Sequence, residues 1–228
     1  MDLKTFQGKF NKIRSQGFVK SQRRGNTGVG HTLESLLGIT ENNIALSDMD
    51  VAELKAHRAG SGSMITLFTH DKGAWVVDQM SAIHDYGLVD EDGRPNLYMT
   101  LFANRPSSSL SLALEVDSHS ATVSHRSGKV VAKWSHVSLA SRFEQKFPAL
   151  MMVTADFEMR GKEEWFHYKK AQLLHGTSSA KLKKGLEKGW IAIDLRLHDN
   201  SGTVRNHGTG FRIQEGKLPE LFEEISEI

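Results

Sequence analysis

The stretch "LSDMDVAELKAHR", residues 46–58, places acidic side chains before and inside a run with the alternating pattern of a β-strand. Asp48 precedes the run, and Glu53 and Lys55 lie within it. Because side chains on a strand alternate between its two faces, Glu53 and Lys55 are predicted to share one face while Leu54 points into a core. Two interpretations follow: an exposed strand whose charges pair with each other, or a metal site.

The metal interpretation has a chemical basis in the hydrolysis of phosphodiesters. Mg²⁺ usually takes one or two carboxylate ligands, which leaves positions for water and a substrate phosphate. Asp48 and Glu53 would supply those carboxylates, and Lys55 would orient the attacking water and offset charge on the phosphate. Asp50 is open to two interpretations, as a further acid of the site or as a solvated side chain. The acid-x-Lys pattern alone is weak, because it occurs three more times in segments that look exposed.

Composition excludes several other classes of protein. The 228 residues suit one domain with a lobe, and 39% hydrophobic and 25% charged residues are typical of a globular chain. The absence of cysteine excludes disulfides, thiolate zinc sites and cysteine nucleophiles. The net charge of +2 is small, so a DNA-binding face would require local clustering of basic residues. The N-terminus is too charged for a signal peptide and no apolar run would span a bilayer, so a soluble intracellular protein is expected.

Helical and strand patterns alternate along the chain, which predicts a mixed α/β protein with a central sheet flanked by helices and a β-rich stretch in the middle. Helical patterns occur at 2–16, 33–37, 74–84, "LASRFEQKF", "SAKLKKGLEKG" and the closing "LPELFEEISEI". Strand patterns occur at 51–58, 63–69, four segments within 97–135, "ALMMVTADFEM" and "WIAIDLRLH".

Several ordered motifs closely resemble the MvaI/BcnI family of restriction endonucleases, relatives of the mismatch-repair nickase MutH. The motifs are "RRGNTGVGHTLESLLG", "ENNIALSDMDVAELKAHR" and "SMITLFT", with further similarity at "GWIAIDLRL" and "NHGTGFRI". The resemblance implies the PD-(D/E)XK nuclease fold, in which a central mixed β-sheet is flanked by helices and accompanied by a β-rich DNA-recognition lobe. It implies one restriction-endonuclease-like chain with a catalytic part at roughly 1–84 and 149–175 and a recognition part at roughly 85–148 and 189–213.

The resemblance also implies catalytic residues. The metal-binding acids of the family fall on Asp48 and Glu53, and its catalytic lysine falls on Lys55. Glu34 matches the helix glutamate of the motif "LE..LG", which lies near the active site in the family; a surface acid on an amphipathic helix is the alternative. Mg²⁺ is the expected cofactor, and Mn²⁺ is expected to substitute because it favours the same oxygen ligands.

The segments near the C-terminus are the candidates for reading DNA. Asp194 and Arg196 share one strand face, where an arginine would bond guanine O6 and N7 and an aspartate would accept from cytosine N4. An ion pair between the two is the alternative. The resemblance adds further candidates around the recognition site, namely Arg205, His207 and Arg212. The candidates for phosphate contacts are Arg23, Arg24, Asn104 and Arg105.

Each candidate for a phosphate contact also has a plainer interpretation. The segment "RRGNTGVG" would hold a phosphate with its backbone N–H groups at a helix N-terminus, or form an ordinary turn capped by Thr27. The segment "NRPSSS" fits an exposed hairpin loop equally well. For His207, a candidate from the recognition region, the alternative is a loop histidine that has no role.

The activity implied by the resemblance is that of a type II restriction endonuclease that cuts double-stranded DNA as a monomer, nicking one strand and then the other. The expected site is CC-N-GG-like with a restricted central pair, and A or T is favoured there because "RRGNTGVG" and "HGTGFRI" are closer to the MvaI side of the family. The protein is expected in the cytoplasm of a prokaryotic cell. A DNA methyltransferase is expected to act on the same site without forming a stable complex with it.

Two other functions are alternatives to this activity. A MutH-like nickase of mismatch repair shares the catalytic residues, but "HGTGFRI" argues against it. A DNA-binding module without catalysis is disfavoured by the intact set of Asp48, Glu53 and Lys55.

Overall fold

The computed structural model describes residues 1–39, 43–45, 51–105 and 111–228. The chain divides into two compact units, each assembled from segments that are distant in sequence. The first unit contains Met1–Ser63, Phe147–Gly176 and Phe222–Ile228, and the second contains Met64–Lys146 and Thr177–Leu221. Residues 64–84, expected with the catalytic part, belong to the second unit because the strand at their start pairs within its sheet.

The helices and strands follow each other in a mixed order. In chain order they are α1 (Leu3–Ser15), β1 (Val19–Lys20), α2 (Gly28–Leu37), β2 (Asn43–Ala45), β3 (Val51–Arg58), β4 (Met64–Thr69), α3 (Gln79–Tyr86), β5 (Leu88–Val89), β6 (Pro95–Leu101), β7 (Leu112–Val116), β8 (Ser120–His125), β9 (Val130–Ser135), α4 (His136–Lys146), β10 (Ala149–Arg160), β11 (Glu163–His175), α5 (Ser179–Glu187), β12 (Ile191–Asp199), β13 (Val204–Asn206), β14 (Gly210–Gln214), a 3-10 helix (Glu215–Leu221) and β15 (Glu224–Glu227).

The first unit is built on one mixed sheet. Across the described residues its strand order is β1-β11-β10-β3-β2, with β15 beside β11. β3 pairs in parallel with β10, and the other neighbours in this sheet are antiparallel. Helices α1 and α2 contribute to the core that packs on one face of the sheet, through Phe6, Phe10, Ile13, Val29, Leu33 and Leu37. That core fixes which face of β3 is closed to solvent.

Local signals explain where the two helices begin and end. Asp2 caps α1 by accepting a hydrogen bond from the backbone N–H of Thr5 at 2.8 Å, and Gly17, at φ +70°, follows its end as predicted. Thr27 occupies the N-cap position of α2, as in the alternative of a capped turn, but its side chain makes no capping hydrogen bond. Gly38, at φ +66°, ends α2.

The second unit contains two sheets. The larger has the order β4-β14-β12-β6-β5, with β13 beside β12, and the smaller has the order β7-β8-β9. The four strand patterns within 97–135 therefore do not form one meander, because β6 pairs with β12 instead. The buried rings of Phe68 and Phe211 stack at 5.1 Å, and Trp134 meets Phe211 edge-on at 5.6 Å.

The prediction of a closing helix at 218–228 is wrong. The chain forms the 3-10 helix, which contains Pro219, and then β15, which pairs antiparallel with β11 from Gln172 to His175. Proline lacks a backbone N–H and disfavours a continuing α-helix, and the edge of β11 offers backbone partners to the last residues. Helix α3 is also shorter than predicted and begins after its cap Asp78.

None of the helices in the described part of the chain is long and apolar enough to cross a membrane.

Candidate functional site

Glu53 and Lys55 lie side by side on β3. Lys55 Nζ is 2.7 Å from Glu53 Oε1. The side chain of Glu53 is 28% exposed and that of Lys55 is 34% exposed. Leu54 points the other way into the core and is 4% exposed, as the alternation predicted. Their partners on the parallel strand β10, Leu150 and Met152, are buried. The pair is therefore accessible to a ligand but carried by a strand whose neighbours on β10 are buried.

His57 continues the same face of β3 and was not singled out in the sequence. Its Nε2 lies 2.8 Å from the hydroxyl of Thr154 on β10, and burial lowers the pKa of its imidazole. The ring is therefore neutral near pH 7, so His57 does not add a positive charge beside that of Lys55. The available signal was the spacing of 53, 55 and 57, which a strand places on one face.

The predicted metal site falls only in part on described residues, because Asp48 and Asp50 lie outside them. In the described part of the chain, no group of three histidine and carboxylate side chains is placed to hold a metal ion. Glu53 does supply the oxygen ligand that Mg²⁺ prefers, on the accessible face of the strand. Its donor chemistry and exposure are therefore compatible with a Mg²⁺ ligand.

Glu34 lies on α2, a helix that contributes Leu33 and Leu37 to the core beside Leu54. Its carboxylate oxygen is near Gly30, where an added Cβ would be 3.7 Å away. Among the described residues, no ion pair joins Glu34 to Lys55.

The loop before α2 is held by Arg58 at the end of β3. Its guanidinium makes two hydrogen bonds with Glu164, Nε to Oε1 at 2.6 Å and Nη2 to Oε2 at 2.8 Å. It also donates to the backbone carbonyls of Gly25 and Asn26, each at 3.0 Å. Arg58 points to the core face of β3, since it lies 5.2 Å from the buried ring of Phe166. The loop is therefore attached on the opposite face from Glu53 and Lys55.

Arg23 and Arg24 line a cavity of about 570 Å³ next to this loop. Both are exposed, and the cavity also contains the exposed apolar side chains of Phe157 and Met159. The structure thus keeps these two arginines together but does not bring them to the Glu53–Lys55 pair.

Arg58→Ala should destabilise the protein by about 1.5–3 kcal/mol, because it removes charged hydrogen bonds from Glu164 and from two loop carbonyls. The measurement is urea unfolding followed by circular dichroism. Lys20→Ala is the matched control, because it breaks the exposed Lys20–Glu163 pair, which is 54% and 49% exposed and should contribute under about 1 kcal/mol. Equal losses in the two variants would contradict the role given to Arg58.

Asp194 in the second unit is the centre of a charged cluster. Its Oδ1 accepts from the hydroxyl of Thr100 at 2.7 Å. Its Oδ2 accepts from Arg196 Nη2 at 3.1 Å and from Arg212 Nη1 at 3.2 Å. Asp194 is 7% exposed, whereas the two arginine side chains are 27% and 33% exposed. The ion pair of Asp194 and Arg196, which was the alternative to base contacts, is therefore present, and a second arginine joins it.

The segment "HGTG" beside this cluster is held by Asp71. The backbone N–H and the hydroxyl of Thr209 donate to Asp71 at 2.8 and 2.6 Å, and Trp75 Nε1 donates to it at 3.0 Å. Gly208, at φ +81°, makes the turn that leads into β14. These contacts fix Gly210, which pairs with Asp194 across the sheet.

A group of aromatic and basic side chains flanks the cluster. The hydroxyl of Tyr98 lies 2.8 Å from Nδ1 of His198, and the rings of His198 and His207 are 5.4 Å apart. Tyr98, Asp194, Arg196 and His207 line a cavity of about 370 Å³. Arg205 is exposed on β13, paired in register with His198. Tyr98 and His198 were missed in the sequence because nothing there indicated that β6 pairs with β12.

Asn104 and Arg105 each have a local partner. Asn104 Nδ2 donates to the carbonyl of Lys188 at 3.1 Å, and its side chain occupies the space beside Gly189, which follows α5 at φ +65°. The guanidinium of Arg105 lies 4.7 Å from the ring of Phe102. These contacts favour a local structural role for Asn104.

Comparisons with known proteins agree with this arrangement. The family model of the MvaI/BcnI restriction endonuclease family matches residues 7–222. A solved structure described as "Restriction endonuclease MvaI-cognate DNA substrate complex" is 26% identical, with a TM-score of 0.65, over 99% of this chain and 97% of that chain. "Restriction endonuclease MvaI in the absence of DNA" has the same TM-score and coverage at 24% identity. A search of curated proteins found no match. The structural likeness confirms the predicted PD-(D/E)XK nuclease fold.

Proposed function

Because the chain belongs to the MvaI/BcnI restriction endonuclease family, and is thus a site-specific deoxyribonuclease, we propose that it is a type II enzyme that makes Mg²⁺-dependent double-strand cuts in DNA. The observation that carries the proposal is the Glu53–Lys55 pair, 2.7 Å apart on the accessible face of a buried strand. Such a pair places a metal ligand and a cation at one position. The proposed location is the cytoplasm of a prokaryotic cell, with a methyltransferase acting separately on the same site.

We assign the catalytic roles as follows. Glu53 and Asp48 would hold Mg²⁺, which would supply Lewis-acid chemistry toward the scissile phosphate and the attacking water. Lys55 orients that water and offsets the charge that develops on the phosphate. Glu34 assists near the site, and Mn²⁺ replaces Mg²⁺ because both favour oxygen ligands.

DNA reading is assigned to the second unit. The side chains of Arg196 and Arg212 are partly exposed on one face of its larger sheet, and each can bond O6 and N7 of a guanine. His207 and Arg205 lie beside them on the same side of β12 and are exposed. Because each arginine can read one guanine, two arginines are compatible with the GG of a CC-N-GG-like site. We expect the central pair of that site to be A or T.

Changing Glu53→Gln or Asp48→Ala should abolish cleavage but leave specific DNA binding largely intact, because a metal ligand is lost and not a docking contact. Lys55→Met should also stop cleavage without unfolding the protein. Cleavage of plasmid DNA with Mg²⁺ and band-shift assays in Ca²⁺ measure the two properties, and sequencing the fragment ends identifies the site.

Glu187→Gln is the matched control for the acid variants. It breaks the Lys183–Glu187 pair, which has a similar distance of 2.8 Å and side chains 32% and 43% exposed but lies on α5. This variant should cut DNA normally. Wild-type rates in Glu53→Gln, or strong cleavage in EDTA, would contradict the assignment of the metal site.

Supercoiled plasmid should pass through an open-circular intermediate before it becomes linear, because a monomer with one active site cuts the two strands in turn. The time course of the plasmid forms, with sedimentation to determine the oligomeric state, measures this. Direct conversion to linear DNA by a dimer would contradict the monomer. Accumulation of the open circle as the end product on hemimethylated DNA would instead favour a MutH-like nickase.

Arg196→Ala should weaken binding to the cognate site and leave non-specific binding nearly unchanged, because a bidentate arginine–guanine contact contributes about 1–3 kcal/mol of discrimination. Arg23→Ala and Arg24→Ala should weaken binding to cognate and scrambled duplexes alike and flatten the salt dependence, as for phosphate contacts. Affinities for both duplexes at two salt concentrations separate the effects. Equal losses on both duplexes for Arg196→Ala would move the reading role to Arg205, His207 or Arg212.

A further inference from the structure

We propose that Thr100 and Gly210 are positioning residues for DNA reading, and that Asp194 acts with them to hold Arg196 and Arg212 in the orientation that guanine recognition requires. The inference rests on the proposed function, because it concerns how the two arginines are presented to DNA. It adds two uncharged residues that motif reasoning did not single out, and it changes the role of Asp194.

The carboxylate of Asp194 is already occupied by the protein. Two carboxylate oxygens offer about four acceptor positions, and three are filled by Thr100, Arg196 and Arg212. With Asp194 only 7% exposed, little of it is open to a cytosine amino group. Asp194 is therefore better placed to orient the arginines than to read a base.

Gly210 provides the space that Arg196 occupies. A Cβ at position 210 would lie 2.4 Å from Nη2 and 2.6 Å from Cζ of Arg196, so any other residue there displaces the guanidinium. Gly210 is not among the glycines with positive φ, so its backbone also accepts alanine. The atoms that must move belong to the flexible end of a side chain. Alanine at 210 should therefore change the position of Arg196 and leave the sheet intact.

Thr100 holds the other side of the carboxylate. It faces Asp194 directly in the pairing of β6 with β12, and Gly210 faces Asp194 from β14. Its hydroxyl donates to Oδ1, which leaves Oδ2 for both arginines. Arg212 Nη2 also donates to the carbonyl of Met64 at 3.3 Å. The cluster then carries one excess positive charge, and the guanidinium N–H groups outside these bonds are available to DNA. Holding two guanidiniums in place before binding reduces the entropy lost when they bond bases.

The test compares four variants, Gly210→Ala, Thr100→Val, Thr100→Ser and the control Gly216→Ala, where an added Cβ meets nothing within 4 Å. The probes are a duplex carrying the site recovered from the cleaved ends, the same duplex with 7-deazaguanine at each guanine in turn, and a scrambled duplex. Thermal unfolding of each variant monitors the fold.

Wild-type protein should lose affinity when the guanine read by Arg196 lacks N7, by less than the roughly 5- to 150-fold of a whole bidentate contact, because the bond to O6 remains. Gly210→Ala should lose a similar factor on the natural site, lose nothing on the scrambled duplex, and become insensitive to 7-deazaguanine at that position. Thr100→Val should weaken reading of the guanines assigned to Arg196 and Arg212 together, whereas Thr100→Ser and Gly216→Ala should behave like wild type.

The failure of this inference can be distinguished from failure of the proposed function. If wild-type protein does not prefer the site duplex, or Arg196→Ala does not reduce the preference, the reading role itself is wrong. If Arg196→Ala removes the preference but Gly210→Ala keeps both affinity and sensitivity to 7-deazaguanine, the positioning role is overturned alone. Equal weakening of both duplexes by Thr100→Val, or no rescue by Thr100→Ser, would also overturn it, because Thr100 would then contact phosphate or act by shape.

Discussion

The parallel pairing of β3 with β10 is the constraint on which the candidate active site depends. β3 lies between β10 and β2, and its core face buries Ala52 and Leu54. A shift of one residue in this register would turn Glu53 and Lys55 into the core and expose two apolar side chains. The cost of burying two charges makes that shift strongly unfavourable. Core packing on one face therefore holds the acid and the lysine on the other.

Features set by local alternation or capping could be predicted from the sequence. Three such features depend only on residues nearby in sequence, and the structure contains all of them. They are the strand over 51–58, the orientation of Leu54 away from Glu53 and Lys55, and the end of α1 before Gly17. The prediction of a closing helix was wrong because a distant part of the chain determines the structure there. Its helical pattern was real, but the backbone partners offered by β11, more than 45 residues earlier in the chain, changed the outcome.

The cluster around Asp194, which we propose reads DNA, shows the same limit more clearly. Asp194 and Arg196 could be placed on one strand face from their spacing, and the structure adds the second arginine. The partner Thr100 is 94 residues away in sequence and reaches Asp194 only because β6 pairs with β12. Gly210 gave no local sign of its contact with Arg196, since a missing side chain leaves no pattern. Long-range strand pairing determined the residues that position the arginines.

The two sites use the same spacing, an acid and a base two residues apart on a strand, for different purposes. Glu53 has one cationic partner among the described residues, and its side chain is 28% exposed, so a metal ion can still approach its carboxylate. The side chain of Asp194 has three hydrogen-bond donors and is 11% exposed. A nearly buried carboxylate with three of its roughly four acceptor positions filled leaves little room for another ligand, whereas a more exposed carboxylate with one partner can still accept one. The number of donors that surround the acid, which depends on neighbouring strands, therefore distinguishes a candidate metal ligand from a support for arginines.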